Sequence, residues 1–245
     1  MKYNKIHVFL RQTNHCKPNN NRPNWFSYEK VFQNLLKTSN PNLIDITVVF
    51  DGDIKNHFTE KYSGFEIISI NAPHPGNFTS IIKLCEIIKE KNLSENTIIY
   101  ILENDYIHIP YWTEITLDFF NTVDNSENCM LSLFDHRDKY LFIDKNRTDH
   151  FSMYKDLTST IYISNYRHWR TVPLICISCL FTNNVFQKSY GLFTQGIADN
   201  TLCGEMSKRD TWFASPIPAL ATHCELPFIA PLINWENLIN QTKLL

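Results

Sequence analysis

Residues Thr97 to Leu102, TIIYIL, form an almost unbroken apolar run that stops at three polar residues, Glu103-Asn104-Asp105. An apolar run on both parities fits a strand covered on both faces, and such strands belong to parallel sheets with helices packed on either side. The neighbouring segments agree with that architecture. Lys5 to Leu10 (KIHVFL), Asp45 to Phe50 (DITVVF) and Phe65 to Ile70 (FEIISI) read as further strands. Between them Tyr28, Val31, Phe32, Leu35 and Leu36 recur at helical spacing after Ser27, a plausible N-cap, and a second helix is expected from about Thr79 to Lys91. Beyond residue 105 the pattern predicts a helix near Trp112 to Phe120, strands at Cys129 to Phe134 and Thr160 to Ile163, and a packed apolar strand at Leu174 to Phe181. The expected class is α/β, a mixed, mostly parallel central sheet flanked by helices. With no repeat and no linker, the 245 residues read as one domain, 1–245.

Charge and composition exclude several functions. The chain has 23 basic and 25 acidic side chains, a formal net charge of −2 and no clustered Lys/Arg run, so no nucleic-acid partner is expected. Its longest apolar stretch, Val172 to Phe181, is far short of the roughly 20 residues that cross a bilayer, and the first residues lack a signal-peptide core. No integral membrane segment is expected. The 7 cysteines are odd in number and scattered through apolar contexts, as reduced thiols are, which points to the cytoplasm, or a host's cytoplasm if the source is viral. Cys176 and Cys179 have the spacing of a redox or zinc pair, but no second such pair exists.

In open α/β sheets, ligands bind beyond the carboxyl ends of the strands. The residues expected there are Arg11-Gln12-Thr13, Asp51-Gly52-Asp53 and Glu103-Asn104-Asp105. Glu103 and Asp105 have the spacing of a DxD metal motif, in which two carboxylates approach a divalent cation that neutralises a diphosphate. The same acids also favour the start of a helix, so the spacing alone leaves both readings open. Asp51-Gly52 likewise reads either as a ligand contact or as an ordinary turn after a strand.

The segment LENDYIHIPYW (102–112) is similar to the LEDDYxxxPG-type segment of glycosyltransferases with the GT-A fold, departing from it at Asn104. VVFDGD (48–53) and GNFTSI (76–81) resemble, in the same order, that family's second-strand acidic motif and its helix start facing the nucleotide. SLFDHRDKY (132–140), RHWRT (167–171) and ASPIPALATHCELPFIAPLINW (214–235) resemble the YDHPDKY, WRT and PIPGLATHxExxxLAPLxDW stretches of a little-characterised glycosyltransferase-like group. The resemblance spans most of the chain. It implies a GT-A, Rossmann-like fold with a nucleotide-binding half at 1–106 and an acceptor-binding half at 107–245. It also implies a nucleoside-diphosphate-sugar donor, such as a UDP- or GDP-sugar, and a hydroxyl-bearing glycan acceptor. Mn²⁺ or Mg²⁺ would be held by Asp105, Glu103 and His223, and the donor contacted by Arg11, Asp51, Gly52, Ser80 and Asn104.

Transfer to a hydroxyl calls for a base. GIADNTL (196–202) occupies the place of the helix start that carries it in inverting members of the family, which makes Asp199 the candidate base, with Glu205 and Asp135 in reserve. Asp199 is equally suited to capping that helix. Asp135, His136, Trp169 and Arg170 are candidate acceptor contacts, since aromatic and guanidinium planes stack on sugars or pair with anions. The mixed-charge stretch 135–149 reads as a solvated loop. Two other classes stay open. A nucleotidyltransferase would use the same acids but should carry a Gly-rich basic loop after the first strand, where this chain has Arg11-Gln12-Thr13-Asn14. A non-catalytic carbohydrate-binding domain would keep the fold and lose the chemistry.

Overall fold

The computed structural model describes residues 1–14, 19–71, 77–137, 140 and 158–241. The expected amino-terminal strands form β1 (Lys5–Thr13), β2 (Ile44–Asp51), β3 (Glu66–Ile70) and β4 (Thr97–Leu102). They pair in parallel in the order β3-β2-β1-β4, with Thr13 beside Asp51, Asp51 beside Ile70, and Leu10 beside Leu102. Parallel neighbours need crossover connections. Helices α1 (Tyr28–Thr38) and α2 (Asn77–Glu90) supply two of them. Ser27 caps α1 as its sequence suggests, its side chain accepting from the Lys30 N–H.

Past β4 the sheet becomes mixed. β9 (Cys179–Thr182) runs antiparallel to β4 and to β6 (Cys129–Leu131), which is followed by β10 (Trp212–Ile217), β8 (His168–Thr171) and β7 (Ile161–Ile163). β10 is parallel to β6, so among the nine described strands of this sheet only β8 and β9 oppose the common direction. The result is the mixed, mostly parallel sheet flanked by helices that the sequence predicts. A separate two-stranded ladder pairs β5 (Tyr106–His108) with β11 (Ala221–His223).

Alternation along the strands fills both faces. Val8, Leu10, Val48, Phe50, Ile98, Tyr100 and Leu102 point to one core, with Phe32 and Leu35 of α1 and Phe119 of α3 (Trp112–Thr122). Phe9, Val49, Ile99 and Ile101 point to the other, with Leu84 and Ile88 of α2, Phe186 of α4 (Asn183–Phe193) and Met206 of α5 (Asp199–Ser207). The last helix, α6 (Trp235–Gln241), returns to the first core through Trp235 and Ile239. No helix among the described residues is long and apolar enough to cross a membrane.

The strand expected over 174–181 is shorter than its apolar run, beginning only at Cys179. Before it, Ser178 Oγ accepts from the Glu103 N–H and the Ile177 N–H bonds Asp199, and the pairing of β9 with β4 begins at Cys179 opposite Ile101. Cys176 therefore lies in a loop rather than in a packed strand, while Cys179 is buried at the strand's start. β6 likewise ends at Leu131, and Phe134 makes an isolated bridge to Ala221. Residues 72–76 and most of the 135–149 loop lie outside the described residues.

Burial of two histidines sets an acid limit on stability. Burial and the nearby Lys91 charge lower His7 from its ordinary 6.5 to about 4, and burial lowers His108 to about 3. Each folded-state value lies below the unfolded one, so the unfolded chain binds more protons and each group's contribution, present above pH 6.5, is lost as pH falls through the folded value. Urea midpoints are expected to fall continuously from pH 7 toward pH 4, and His7→Gln to flatten the upper part of that slope.

Candidate functional site

A cleft of about 440 Å³ opens beyond the carboxyl ends of β1 and β4. Its polar lining is Arg11, Glu103, His136, Asp199 and His223, and its walls include Phe78, Phe134, Ile177, Leu202 and Phe228. Each charged group arrives on a different element. Arg11 is near the end of β1, Glu103 follows β4, Asp199 opens α5 and His223 closes β11. The β5–β11 ladder sets His223 opposite Tyr106, and the Cys224 N–H donates to the Asp105 carbonyl at 2.8 Å. Two segments more than a hundred residues apart are thereby registered against each other.

Glu103 is tied on both oxygens. Arg11 Nη1 donates to Oε1 at 3.3 Å and Ser178 Oγ donates to Oε2 at 3.3 Å. Burial and the adjacent Asp105 charge raise its pKa, against the pull of Arg11 and His223. Asp105 differs: burial would raise it, but the hydrogen bonds and charges of His223 and Arg22 hold it below the ordinary carboxylate value. Arg22 Nη2 donates to Asp105 Oδ2 at 2.7 Å, and His223 Nε2 reaches the same oxygen at 3.0 Å. For His223 burial opposes protonation, and the bond to Asp105 outweighs it and raises the pKa. Asp199 is raised by burial despite the Ile177 N–H bond and the Arg11 charge. It is the first residue of α5 rather than its cap, a place taken by Ala198.

Glu103, Asp105 and His223 offer the oxygen and nitrogen donors that Mn²⁺ accepts. As the side chains stand, Asp105 Oδ1 is buried with no hydrogen-bond partner among the described residues, while the neighbouring donors are engaged. The His223 nitrogen nearest Asp105 is engaged with that carboxylate, whose Oδ2 is shared with a guanidinium, and Glu103 is held by Arg11. Among the described residues no three His, Cys, Asp or Glu side chains are grouped to hold a metal.

The other expected site residues divide into two sets. Ser80, in the first turns of α2, is buried and accepts from Arg11 Nη2 at 2.6 Å, orienting that guanidinium. Asn104 donates to Gln12 at 3.1 Å, tying the ends of β4 and β1. Asp51 and Gly52 lie at the end of β2, where Gly52 takes φ 115° and donates to the Ile70 carbonyl at 3.1 Å. His136 lines the cleft. Asp135, Trp169 and Arg170 do not serve as the acceptor surface the sequence suggests. Trp169 and Asp135 are 0% exposed, and Arg170 Nη2 is paired to Asp135 Oδ1 at 2.6 Å beneath the Tyr140 ring. Outward-looking motifs in the sequence are here an internal clasp, because β8 is covered by α3 through the contact of Phe119 with Trp169.

Sequence reasoning overlooks Arg22, Ser178 and Phe78. Arg22 has a usable signal, a basic residue in the Asn-rich connection after β1. Ser178 and Phe78 have none, since their roles depend on long-range packing. Gly196 shows how closely the walls meet: it takes φ +64°, and a Cβ there would lie 3.2 Å from Phe78 Cβ. Gly196→Ala is expected to cost about 1–2 kcal/mol from the left-handed backbone alone, read as a lower urea midpoint.

No protein-family model matches the chain, and no curated protein matches it. Among solved structures it is similar to S. aureus TarS 1–349, with 11% identity and a TM-score of 0.49, covering 86% of this chain and 57% of that one. It thus spans little more than half of that structure. It is also similar to a 4-diphosphocytidyl-2C-methyl-D-erythritol synthase, with 8% identity, a TM-score of 0.45 and coverage of 83% and 85%. A synthase of the same title from Anaerococcus prevotii aligns at 12% identity and a TM-score of 0.47, covering 98% of this chain and 95% of that one. At such values the similarities concern the course of the chain alone.

Proposed function

We propose that the chain is a transferase that takes a nucleoside-diphosphate sugar as donor and passes the glycosyl group to a hydroxyl acceptor. The observation that carries this reading is the meeting of Arg11, Glu103, Asp199 and His223, from four separate segments, in one cleft at the strand ends of a parallel sheet. That is where α/β sheets of this topology take their ligands. Arg11 and His223 bring positive charge to a leaving diphosphate, a stabilisation that counts most where water is excluded. Asp199, its pKa raised by burial, is a stronger base than an exposed carboxylate and faces the same space. In the proposed step the acceptor hydroxyl gives its proton to Asp199, its oxygen bonds the anomeric carbon, and the bond from that carbon to the diphosphate oxygen breaks. Direct displacement of this kind inverts the anomeric centre.

A second reading, nucleotidyl transfer, is favoured by one feature. A basic residue from the connection after β1, Arg22, does reach the strand-end acids, as a triphosphate site requires. The two reactions leave different products. Incubated with UDP- and GDP-sugars and a panel of glycan and glycoconjugate acceptors, the chain is expected to release nucleoside diphosphate. Pyrophosphate release from a nucleoside triphosphate and a sugar phosphate, with no release from the sugar nucleotides, would favour nucleotidyl transfer instead.

A further inference from the structure

We propose that a side pocket of the cleft receives the acetamido group of the donor sugar, so that the chain selects N-acetylhexosamine donors. The inference deepens the nucleoside-diphosphate-sugar reading of the cleft and rests on it. The pocket, of about 40 Å³, shares Phe134, His136 and Cys176 with the cleft and is walled by Val172, Leu174 and Ile175. Two hydroxyls reach it from the same edge of the sheet, Ser132 just after β6 and Ser215 in the second half of β10. Ser132 Oγ is already used, donating to the Phe134 carbonyl at 3.3 Å and accepting from the Phe134 N–H at 3.2 Å. Ser215 is 1% exposed, and its Oγ has no hydrogen-bond partner among the described residues. A hydroxyl buried in that state costs free energy until something binds it.

Size and chemistry define the occupant. The pocket has room for about three waters, and so for a group of about three non-hydrogen atoms. An acetyl group fits that description: its carbonyl oxygen accepts from the Ser215 hydroxyl and its methyl lies on the aliphatic wall. A bare hydroxyl would leave the wall uncovered, a methyl alone would leave Ser215 unpartnered, and a carboxylate would meet no Lys or Arg among the described lining residues. A water on Ser215 would satisfy it as well but would give none of the selectivity expected below. Placement assigns the group to the donor. Cys176 precedes Ile177, whose N–H bonds Asp199, so the wall shared with the cleft lies beside the proposed base. The sugar transferred there has its anomeric carbon between Arg11, His223 and Asp199, and a 2-acetamido group hangs on the neighbouring ring carbon.

The test compares UDP-N-acetylglucosamine with UDP-glucose, and UDP-N-acetylgalactosamine with UDP-galactose, by calorimetry on the full chain. Wild type is expected to favour the acetylated member of at least one pair by about tenfold or more, the scale of a buried methyl and a hydrogen bond together. Ser215→Ala, which loses no partner in the free protein, is expected to keep its urea midpoint and to cut that ratio about two- to tenfold. Ser215→Val, which fills the pocket, should bring the ratio close to one. Equal affinities within both pairs, or a preference that survives both variants, would overturn the proposal and leave the donor reading intact. Discrimination found only between acetylated and plain acceptors would do the same. A nucleotide-free arm covers failure of the donor reading. Saturation-transfer NMR with methyl N-acetylglucosaminide is expected to label the acetyl methyl most strongly in wild type and far less in Ser215→Val. An acetyl signal no stronger than that of the ring protons, or unaltered in Ser215→Val, would overturn the pocket assignment even where no sugar nucleotide binds. Acetyl labelling of a protein that binds no sugar nucleotide would overturn the donor reading while keeping the pocket's ligand class.

Discussion

Asp199→Asn is expected to slow transfer by orders of magnitude while leaving the donor bound. General-base catalysis contributes about 10²- to 10⁴-fold, and the amide keeps the shape and the contact with the Ile177 N–H while losing the ability to take a proton. Single-turnover rates should fall by that factor, with donor affinity measured by calorimetry unchanged. The pH profile adds a signature that a merely structural role would not give. Burial raises the Asp199 pKa, so the wild-type rate should decline on the acid side at a pH above the ordinary aspartate value, and the residual rate of the variant should lack that limb. A variant that loses donor affinity and turnover together would make Asp199 a packing residue of the α5 start.

Asp135→Ala is expected to be the most destabilising single substitution at the expected site positions. It would leave the Arg170 guanidinium buried without its carboxylate, a situation that costs about 3–5 kcal/mol. Tyr140, whose hydroxyl also bonds Asp135, would lose a partner at the same time. Replacing both partners by apolar residues, Asp135→Leu with Arg170→Met, should cost less than Asp135→Ala, because no charge is stranded. Urea unfolding of the single and double variants measures this directly. An unchanged midpoint in Asp135→Ala, with loss of acceptor use alone, would restore the pair to the acceptor surface.

These two residues mark the boundary of what the sequence discloses. The parallel half of the sheet is legible because β1, β2 and β4 are continuous apolar runs broken by polar residues, and because α1 shows its cap and its stripe within a few residues. Glu103, Asp199 and His223 stand out for a similar local reason, lying at the junctions where strands give way to turns or helices. Exposure is not legible in the same way. The RHWRT segment has the composition of a sugar-stacking surface, yet Trp169 and Arg170 lie inside, because α3 packs over β8 and Asp135 supplies the compensating charge. Nor do spacings reveal which charges will neutralise which. The Glu103/Asp105 spacing suggests a metal, and it does not disclose that Asp105 pairs with Arg22, 83 residues upstream, in a connection whose path only the folded chain defines. The start of β9 is not legible either: the apolar content of 174–178 favours a strand, yet there the Ile177 N–H and the Ser178 hydroxyl serve Asp199 and Glu103 at the cleft.

The cleft beyond β1 and β4 is expected to bind a nucleoside diphosphate through Arg11. Titration calorimetry of UDP, GDP and their sugar conjugates against wild type and Arg11→Gln tests it most directly. One nucleotide class should bind the wild type and lose about tenfold or more in affinity in the variant, as expected for removal of a charge-assisted contact. Wild-type protein that binds none of these ligands, or binds one equally well without the Arg11 charge, would contradict the account.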